Sequence, residues 1–393
     1  MEKSVVIVEG VRTAIGGFGG LLKDINSGTL GAKVIQEVVK RAEIEASMID
    51  KVILGEVRQT TESSNVARVA SLRAGLPVST TAYTVNQLCA SGMQAVCSAV
   101  QEIIFEQAEI IIAGGTENLS KSPYYLRNSR FADGPTILVD SNQENGQQPI
   151  EKYGTDLSMI VTAEVIAKRY SISRLEQDKF AMISQLRAEK AIQEGKFKKE
   201  IVPLEVTNKK KTSLFKTDES PRDTSLEKLS ALEPVLSNGT VTAGNACGRN
   251  DGAGALLLMT HEKSSQLGFK PIARIVDWST SGVSPEVMGI GPVLAVKKLL
   301  KKTKMNLSDF GLVELNEAFA AQSIAVIREL NLDHAKVNVN GGAIALGHPL
   351  GATGARIIMT LMYEMKRRSE QFGLATLCVG GGQGMAIAIE LLD

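Results

Sequence analysis

The two ends of the chain repeat one pattern of helix, turn and strand, and this repeat constrains the fold more than any other feature. Leu30 to Glu56, "LGAKVIQEVVKRAEIEASMIDKVILGE", has the apolar spacing of Pro292 to Glu317, "PVLAVKKLLKKTKMNLSDFGLVELNE". Further along, "EIIIAGGTE" corresponds to "LATLCVGGGQG". Helical stretches that alternate with short β-branched runs predict two similar α/β halves whose helices cover mixed or parallel sheets.

A long polar stretch interrupts the first half. After Leu119 the alternation gives way to Asn, Gln and Pro, with helical spacing only at about 162–170 and 174–194, and it returns at "TAGNACGRNDGAGALLLMT". This loss of the alternating helix and strand pattern predicts an inserted loop domain. We therefore expect three parts: a first α/β half from 1–118 with 249–270, an insertion from 119–248, and a second α/β half from 271–393.

Charge and hydrophobicity exclude several classes of partner. The 393 residues include 44 basic and 43 acidic side chains, so the net charge of +1 gives no reason to expect nucleic acid or an anionic membrane as the main partner. No apolar run approaches the ~20 residues that a membrane helix needs, and the start "MEKSVVIVEGVRT" has no signal-peptide pattern. We expect a cytoplasmic protein with reduced thiols, because its 4 cysteines show no paired spacing.

Two of these cysteines, Cys89 and Cys97, lie in "TVNQLCASGMQAVCSAV". The first follows a predicted strand and precedes a helix, where exposed backbone N–H groups and the helix dipole favour a thiolate. The second falls two turns further along, on the apolar face of that helix. Cys97 is therefore interpreted as a core residue, whereas Cys89 is a candidate nucleophile or a structural cysteine.

Three more candidates lie at or just after predicted strands. Asn316 follows a strand in "VELNEAFAAQS", Cys378 ends a strand before a glycine-rich turn, and His348 sits among glycines in "GGAIALGHPLGATGAR". Each has a plain alternative, namely a helix cap for Asn316, a core cysteine for Cys378 and a turn residue for His348. The repeat changes this balance, because it predicts that these strand ends and Cys89 converge on one site.

A series of motifs extends over nearly the whole chain: "NQLCASGMQAV", "GGTENLSKSP", "GTVTAGNACGRNDGAG", "ELNEAFAAQ", "NVNGGAIALGHPLGATGAR" and "CVGGGQGMA". In this order they resemble thiolases, the acyl-CoA acyltransferases that make or cleave 3-ketoacyl-CoA. The resemblance implies the thiolase fold, a layered α-β-α-β-α core with an inserted loop domain. It also implies acyl-CoA and coenzyme A as substrates, no metal or redox cofactor, and a homo-oligomer, either a dimer or a dimer of dimers.

The resemblance also implies a role for each candidate. Cys89 would be the nucleophile that accepts the acyl group, and His348 the base that takes its proton. Cys378 would move the α-proton of the second substrate as general acid and base. The His348 imidazole and a water held by Asn316 would stabilise the enolate, while the backbone N–H groups of Cys89 and Gly380 would stabilise the tetrahedral intermediate.

The same resemblance implies a set of substrate-binding positions, and two of them depart from the usual pattern. Where relatives specific for acetoacetyl-CoA carry a His-Met pair, "LSMIVTAE" has Ser158 with Met159, and the usual Ser after "GNA" is Cys247. A smaller Ser158 predicts a pocket with room for longer acyl chains. The remaining coenzyme A positions are Arg222, Leu229, Ala243, Ala318 and Phe319.

Four functions remain open at this point. Acetyl-CoA acetyltransferase is the leading one, because "AGNA", "NEAFAAQ" and "GGAIALGHP" are most similar to the short-chain group. A degradative 3-ketoacyl-CoA thiolase for longer chains is the alternative. A ketosynthase would use two histidines where this chain has His348 and Cys378. A non-catalytic acyl-CoA binding protein of the same fold is the remaining class. The stretch 131–148, which in tetrameric relatives includes the arm joining dimers, departs from the usual pattern.

Overall fold

A computed structural model describes residues 4–131, 134–144, 146–154, 157–208 and 211–392. Its strands are β1 Val5–Thr13, β2 Gly16–Gly17, β3 Lys51–Gly55, β4 Thr81–Val85, β5 Ile110–Asn118, β6 Tyr124–Arg127, β7 Ile137–Asp140, β8 Ile201–Val202, β9 Leu204–Asn208, β10 Lys211–Phe215, β11 Asn250–Thr260, β12 Ala273–Gly282, β13 Leu312–Leu315, β14 Phe372–Val379 and β15 Gln383–Leu391. Its helices are α1 Ser27–Ala42, α2 Val66–Arg73, α3 Ser91–Ile104, α4 Ile150–Tyr153, α5 Met159–Arg169, α6 Arg174–Gln193, α7 Leu226–Ser230, α8 His261–Gln266, α9 Gly291–Thr303, α10 Ala320–Leu330, α11 Ala343–Leu346 and α12 Leu350–Arg368.

The strand order of the first half recurs in the second. In the first half the order is β4-β3-β5-β11-β1, and in the second it is β13-β14-β15-β12. The pairing directions also recur: β3 is parallel to β5 as β13 is to β14, and the remaining neighbours β5-β11-β1 and β14-β15-β12 are antiparallel. This recurrence confirms the internal repeat. The halves join where β1 pairs with β12 through Val6 with Arg274 and Ile7 with Ala273.

The helices and sheets form five layers, as the resemblance predicted. One apolar cluster packs α1 and α2 on the outer face of the first sheet, a second packs α3 and α12 between the two sheets, and a third packs α9 and α10 on the outer face of the second sheet. Glycines let α3 and α12 approach closely, because a Cβ at Gly92 would lie 2.6 Å from the Gly351 carbonyl oxygen. The first turns of these two helices therefore lie side by side.

The insertion is held to the core by a buried cluster of charges. Its short strand β8 pairs in parallel with the end of β1. The Arg12 guanidinium on β1 donates to Glu200 Oε1 at 2.7 Å and to Asp218 Oδ1 at 2.6 Å, and all three side chains are buried. Because both carboxylates belong to the insertion, they fix its position against the first half. The three-part division proposed from the sequence stays a prediction.

Within the insertion, α5 begins at Met159, earlier than the expected start near residue 162. The hairpin of β6 and β7 pairs only with itself among the described strands. Its Tyr124 and Leu138 are 63% and 67% exposed. None of the helices in the described ranges combines the length and apolar character needed to span a membrane.

Candidate active site

Cys89 lies in the turn between β4 and α3. Leu88, directly before it, has φ 48°, a left-handed conformation that is rare for a bulky residue and that the surrounding structure must hold in place. The Cys89 side chain is half-buried, and the backbone N–H groups of Gly380 and of Cys89 itself face its sulfur. The first half thus supplies the thiol and the second half supplies a hydrogen-bond donor to it.

The Cys89 thiol is protonated at neutral pH, so the expectation that its place before the helix favours a thiolate is wrong. Burial raises its pKa to about 11, and the charge of Glu117 adds to this effect. The two backbone N–H groups and the charge of Arg58 act in the opposite direction, since each favours the thiolate. A nucleophile with this balance of forces needs a neighbouring base to remove its proton.

His348 is held as a neutral imidazole with one defined tautomer. Burial and the positive charge of Arg356 lower its pKa to about 3, so the ring stays uncharged near neutral pH. The Thr353 hydroxyl donates to the Pro349 carbonyl oxygen at 2.9 Å, so its oxygen accepts from His348 Nδ1, 2.7 Å away. This assignment from the hydrogen bonds leaves Nε2 without a proton, and Nε2 is therefore free to act as a base.

Asn316 is the neighbour of that nitrogen. Its Nδ2 lies 3.4 Å from His348 Nε2, which agrees with an N–H donated to the lone pair. The Asn316 Oδ1 atom is buried and has no hydrogen-bond partner within the described residues. A buried carbonyl oxygen of this kind is a ready acceptor for a water or a substrate group. The backbone N–H of Asn316 donates to the Thr376 carbonyl oxygen at 3.0 Å, which ties this pair to β14.

Cys378 lies two residues further along β14 and is buried. It belongs to a small apolar cluster that also contains Met288 and Phe319 and against which Met159 packs. Burial raises the pKa of the Cys378 thiol well above its usual range, and negative charge on Cys89 or Cys247 raises it further. The three thiols are therefore close enough for their charges to interact.

The turn after Cys378 brings Gly380 to Cys89. Gly381 and Gly382 have φ of 76° and 90°, which residues with a side chain rarely adopt. Gly380 lies directly against the side chain of Gln147, and a Cβ at Gly380 would overlap the Gln147 amide. The glycine at this position therefore lets the backbone approach the nucleophile from one side while Gln147 covers the other.

The two positions that depart from the usual pattern lie in different surroundings. Cys247 is half-buried, its backbone N–H donates to the Ala318 carbonyl oxygen at 3.1 Å, and burial followed by the charge of Cys89 raises its pKa to about 12. Ser158 caps α5, because its hydroxyl accepts from the Val161 backbone N–H at 3.3 Å. The Ser158 side chain is therefore engaged with the helix terminus.

The positions expected to hold coenzyme A divide into two groups. Ala318 and Phe319 belong to the apolar cluster around Cys378. On the insertion, the exposed Arg222 donates from Nη2 to the Ala243 carbonyl oxygen at 3.1 Å, which brings these two predicted positions together. Leu229 is buried in a different cluster with Phe180 and with Ile344 of the second half, so it packs the insertion against that half.

Several positioning residues were not recognised from the sequence, although they lie within the quoted motifs. Thr353, which fixes the His348 tautomer, is one of them, and Asn250, whose Oδ1 accepts from the His348 backbone N–H at 2.9 Å, is another. Glu317 is a third: its carboxylate accepts from Ser184 Oγ at 2.7 Å, from Asn338 Nδ2 at 2.8 Å and from the α11 backbone at 3.2 Å. Only its place beside Asn316 in "ELNEAFAAQ" could have suggested a role.

The chain is similar to known proteins over its whole length. The family model for the N-terminal domain of thiolase matches residues 5–262, and the model for the C-terminal domain of thiolase matches residues 269–391. An acetyl-CoA acetyltransferase of Syntrophomonas wolfei is 47% identical, with 100% of each chain covered. An acetyl-CoA acetyltransferase of Pseudomonas aeruginosa is 47% identical, with 98% of this chain and 99% of that protein covered.

Solved structures agree with these matches. The acetyl-CoA acetyltransferase of Bacillus anthracis superimposes with a TM-score of 0.96 at 46% identity, covering 100% of this chain and 99% of that one. Human mitochondrial 3-ketoacyl-CoA thiolase superimposes with a TM-score of 0.95 at 42% identity, covering 99% of each chain.

Proposed function

The chain belongs to the thiolase family, and on this premise we propose that it is an acetyl-CoA acetyltransferase. It condenses two molecules of acetyl-CoA to acetoacetyl-CoA and coenzyme A, or catalyses the reverse thiolysis. The observation that carries the proposal is the contact between the halves: the Cys89 sulfur faces the backbone N–H of Gly380, in the turn after Cys378. This arrangement puts a nucleophile, an oxyanion donor and a second thiol in one site.

In the first step the acyl group moves to Cys89. His348 Nε2 takes the thiol proton, and the Cys89 sulfur attacks the thioester carbonyl carbon of acetyl-CoA. The backbone N–H groups of Cys89 and Gly380 stabilise the oxyanion of the tetrahedral intermediate, and removal of one such donor typically costs 10²–10³-fold in kcat. Coenzyme A leaves with the proton of Cys378, a thioester remains on Cys89, and His348 keeps the proton that it took on Nε2.

In the second step a carbon–carbon bond forms. Cys378, as thiolate, removes the α-proton of the second acetyl-CoA, and the enolate oxygen is stabilised by His348 and by a water held at Asn316 Oδ1. The enolate carbon attacks the acyl carbon on Cys89, and the Cys89 sulfur leaves and takes its proton back from His348 Nε2, so both thiols are protonated again. Every bond change in this sequence is assigned to a thiol, an imidazole, an amide or a backbone N–H, so the proposal requires no metal or redox cofactor.

The substrate is held in two places. The coenzyme A side lies on the insertion and is assigned to Arg222, Ala243 and Leu229. The thioester side is assigned to the remaining positions, namely Ser158, Met159, Cys247, Ala318 and Phe319. A homo-oligomer, either a dimer or a dimer of dimers, is part of the proposal, supported by the exposed apolar side chains of the β6–β7 hairpin. The cytoplasmic location expected from the sequence also remains part of it.

A second candidate function is a 3-ketoacyl-CoA thiolase for longer chains. The observation that favours it is the orientation of Ser158, whose hydroxyl caps α5 where a histidine would add bulk. The structural similarity to human mitochondrial 3-ketoacyl-CoA thiolase agrees with this candidate. Both candidates use the same catalytic groups, so they differ only in the acyl chain that the pocket accepts.

Two measurements test these proposals. With acetyl-CoA, mass spectrometry should detect an acetyl adduct on the intact protein that Cys89→Ala abolishes and that the control Cys97→Ala retains. No adduct with any acyl-CoA would favour the non-catalytic binding protein of the same fold. A series of thiolysis rates from acetoacetyl-CoA to long 3-ketoacyl-CoA then separates the two enzymes, because much faster turnover of the long chain would reject the acetyltransferase.

A further inference from the structure

Glu56 is a buried carboxyl group that the reaction described above does not use. It follows β3, its side chain is 0% exposed, and neither of its carboxylate oxygens has a hydrogen-bond partner within the described residues. A charged carboxylate without a partner is very costly in a protein interior, whereas the neutral acid is far less so. A group of this kind requires an explanation.

The charge of Glu117 acts on Glu56, and the Glu117 carboxylate holds the first turn of α12. Its Oε2 accepts from the Gly351 backbone N–H at 2.8 Å and from the Val57 backbone N–H at 3.1 Å, and its Oε1 accepts from the Arg58 backbone N–H at 3.0 Å. Gly351 lies in the first turn of the helix that follows His348. A carboxylate at a helix N-terminus is favoured by the free N–H groups and the helix dipole.

The backbone of Glu56 lies directly under that turn. A Cβ at Gly351 would lie 2.7 Å from the Gly55 carbonyl oxygen and 2.9 Å from the Glu56 Cα, so β3 and α12 leave no space between them. Small movements of the loop after β3 are therefore transmitted to the turn that carries His348, because packed interiors are stiff.

Few charges face Glu56 from the elements around it. The charge of Glu117 on β5 raises the pKa of Glu56, whereas the hydroxyl of Ser27 at the start of α1 acts in the opposite direction, although it makes no hydrogen bond of good geometry to either Glu56 oxygen. From β4 it meets the Val85 carbonyl, to which its own N–H donates at 3.2 Å, and from α12 the uncharged Gly351. The charge of Arg58, in the same loop, acts on Glu117 and Cys89.

Burial first, and then the charge of Glu117, raise the pKa of Glu56 to about 8. Burial also raises the pKa of Glu117, but three backbone N–H groups favour its charged form, so we assign the proton of this pair to Glu56. The reacting groups titrate far from this value, since the pKa of Cys89 is about 11 and that of His348 about 3. Glu314 on β13, paired with Arg356, also has a pKa of about 8, so the test must isolate Glu56 by substitution.

We propose that Glu56 is a positioning residue whose protonation controls how firmly the first turn of α12, and the loop before it that carries His348, is held in place. As the neutral acid it leaves Glu117 free to hold the first turn of α12, and with it His348. As the carboxylate it repels Glu117 and loosens that turn. The consequence for activity rests on the proposed thiolase function, whereas the ionisation of Glu56 does not.

The first test is the pH profile of kcat for acetoacetyl-CoA thiolysis, compared between the wild type and Glu56→Gln, which has nearly the same shape and cannot ionise. Between pH 7 and pH 9 the part of kcat that depends on neutral Glu56 should fall to about one tenth in the wild type. The reason is that a group with pKa 8 is about ten parts in eleven ionised at pH 9. The variant should lack this component. Glu45→Gln, which removes an exposed charge, should behave as the wild type.

The second test measures ionisation without activity. Because the pKa of Glu56 is raised by folding, the native state binds the proton more tightly than the unfolded state, and the wild type loses stability as pH rises from about 5 to 8. The difference in Tm between Glu56→Gln and wild type should therefore grow over this range and then level off. Glu56→Met, a second variant that cannot ionise, should give the same trend.

Two results would overturn the proposal: an alkaline loss of kcat that is unchanged in Glu56→Gln and Glu56→Met, or a difference in Tm that does not vary with pH. Failure of the thiolase function itself would look different, because no variant would then turn over substrate while the Tm comparison would still report the ionisation of Glu56.

Discussion

Replacing Thr353 with valine should disable the base while keeping the shape of the site. The Thr353 hydroxyl is the acceptor for His348 Nδ1–H at 2.7 Å, and valine has a methyl group in its place. The imidazole must then either leave a buried N–H without a partner or move its proton to Nε2, the atom that has to accept the proton of Cys89. Either outcome weakens His348 as a base.

The size of the effect follows from the lost hydrogen bond. A buried donor left without a partner costs about 1–3 kcal/mol, and each 1.4 kcal/mol is tenfold in rate, so kcat should fall roughly 5- to 100-fold. Among the described residues the Thr353 hydroxyl bonds His348 and Pro349 and none of the coenzyme A positions, so KM should change little. The assay is thiolysis at saturating coenzyme A, together with the rate of acetyl adduct formation on Cys89.

Thr353→Ser is the matched control, because serine keeps the acceptor oxygen and should retain most of the activity. Thermal unfolding of both variants separates loss of the base from loss of the fold, since the Thr353 hydroxyl also bonds the Pro349 carbonyl oxygen at 2.9 Å. The reasoning is refuted if folded Thr353→Val keeps kcat within about twofold of the wild type, or if Thr353→Ser is as impaired as Thr353→Val.

Three further predictions use other parts of the structure. Alkylation of Cys89 by iodoacetamide should accelerate about tenfold per pH unit up to a pKa of about 11, whereas a plateau near pH 8 would indicate a thiolate–imidazolium pair instead. Gly380→Ala places a methyl group on the Gln147 amide and should lower kcat strongly, while Gly282→Ala, with open space at the Cβ, should not. Arg12→Leu leaves two buried carboxylates unpaired and should reduce the free energy of unfolding by about 3–5 kcal/mol, measured by urea denaturation.

The repeat made much of the architecture predictable from the sequence. Helical and strand spacing are local properties, so the pattern shared by Leu30–Glu56 and Pro292–Glu317 was sufficient to expect two similar halves, and the strand orders agree. The start of α5 was less predictable. Ser158 caps that helix, and the cap lies four residues before the apolar spacing that indicated a helix from about residue 162. Helix ends depend on such single hydrogen bonds and are less regular than helix interiors.

The side-chain hydrogen bonds of the site were not predictable in the same way. The tautomer of His348 depends on Thr353, and the position of its loop depends on Asn250 from β11, which lies 98 residues away in the chain. Neither contact has a periodicity or a composition that identifies it, because each results from how separate elements pack. The roles of Cys89, His348 and Cys378 came from the resemblance to thiolases, and they stay predictions until the variants are measured.

The repeat gives an internal comparison for Glu56. It aligns Glu56 after β3 with Glu317 after β13, and both carboxyl groups are buried. Glu317 is satisfied by Ser184, Asn338 and the α11 backbone, whereas Glu56 has no hydrogen-bond partner within the described residues and faces Glu117. Two carboxyl groups at equivalent positions thus differ in the hydrogen-bond donors that offset the cost of their burial. Glu317 is stabilised by donors that hold the loop before His348, whereas Glu56 is stabilised by its proton, so in our proposal the first half makes the same site sensitive to pH.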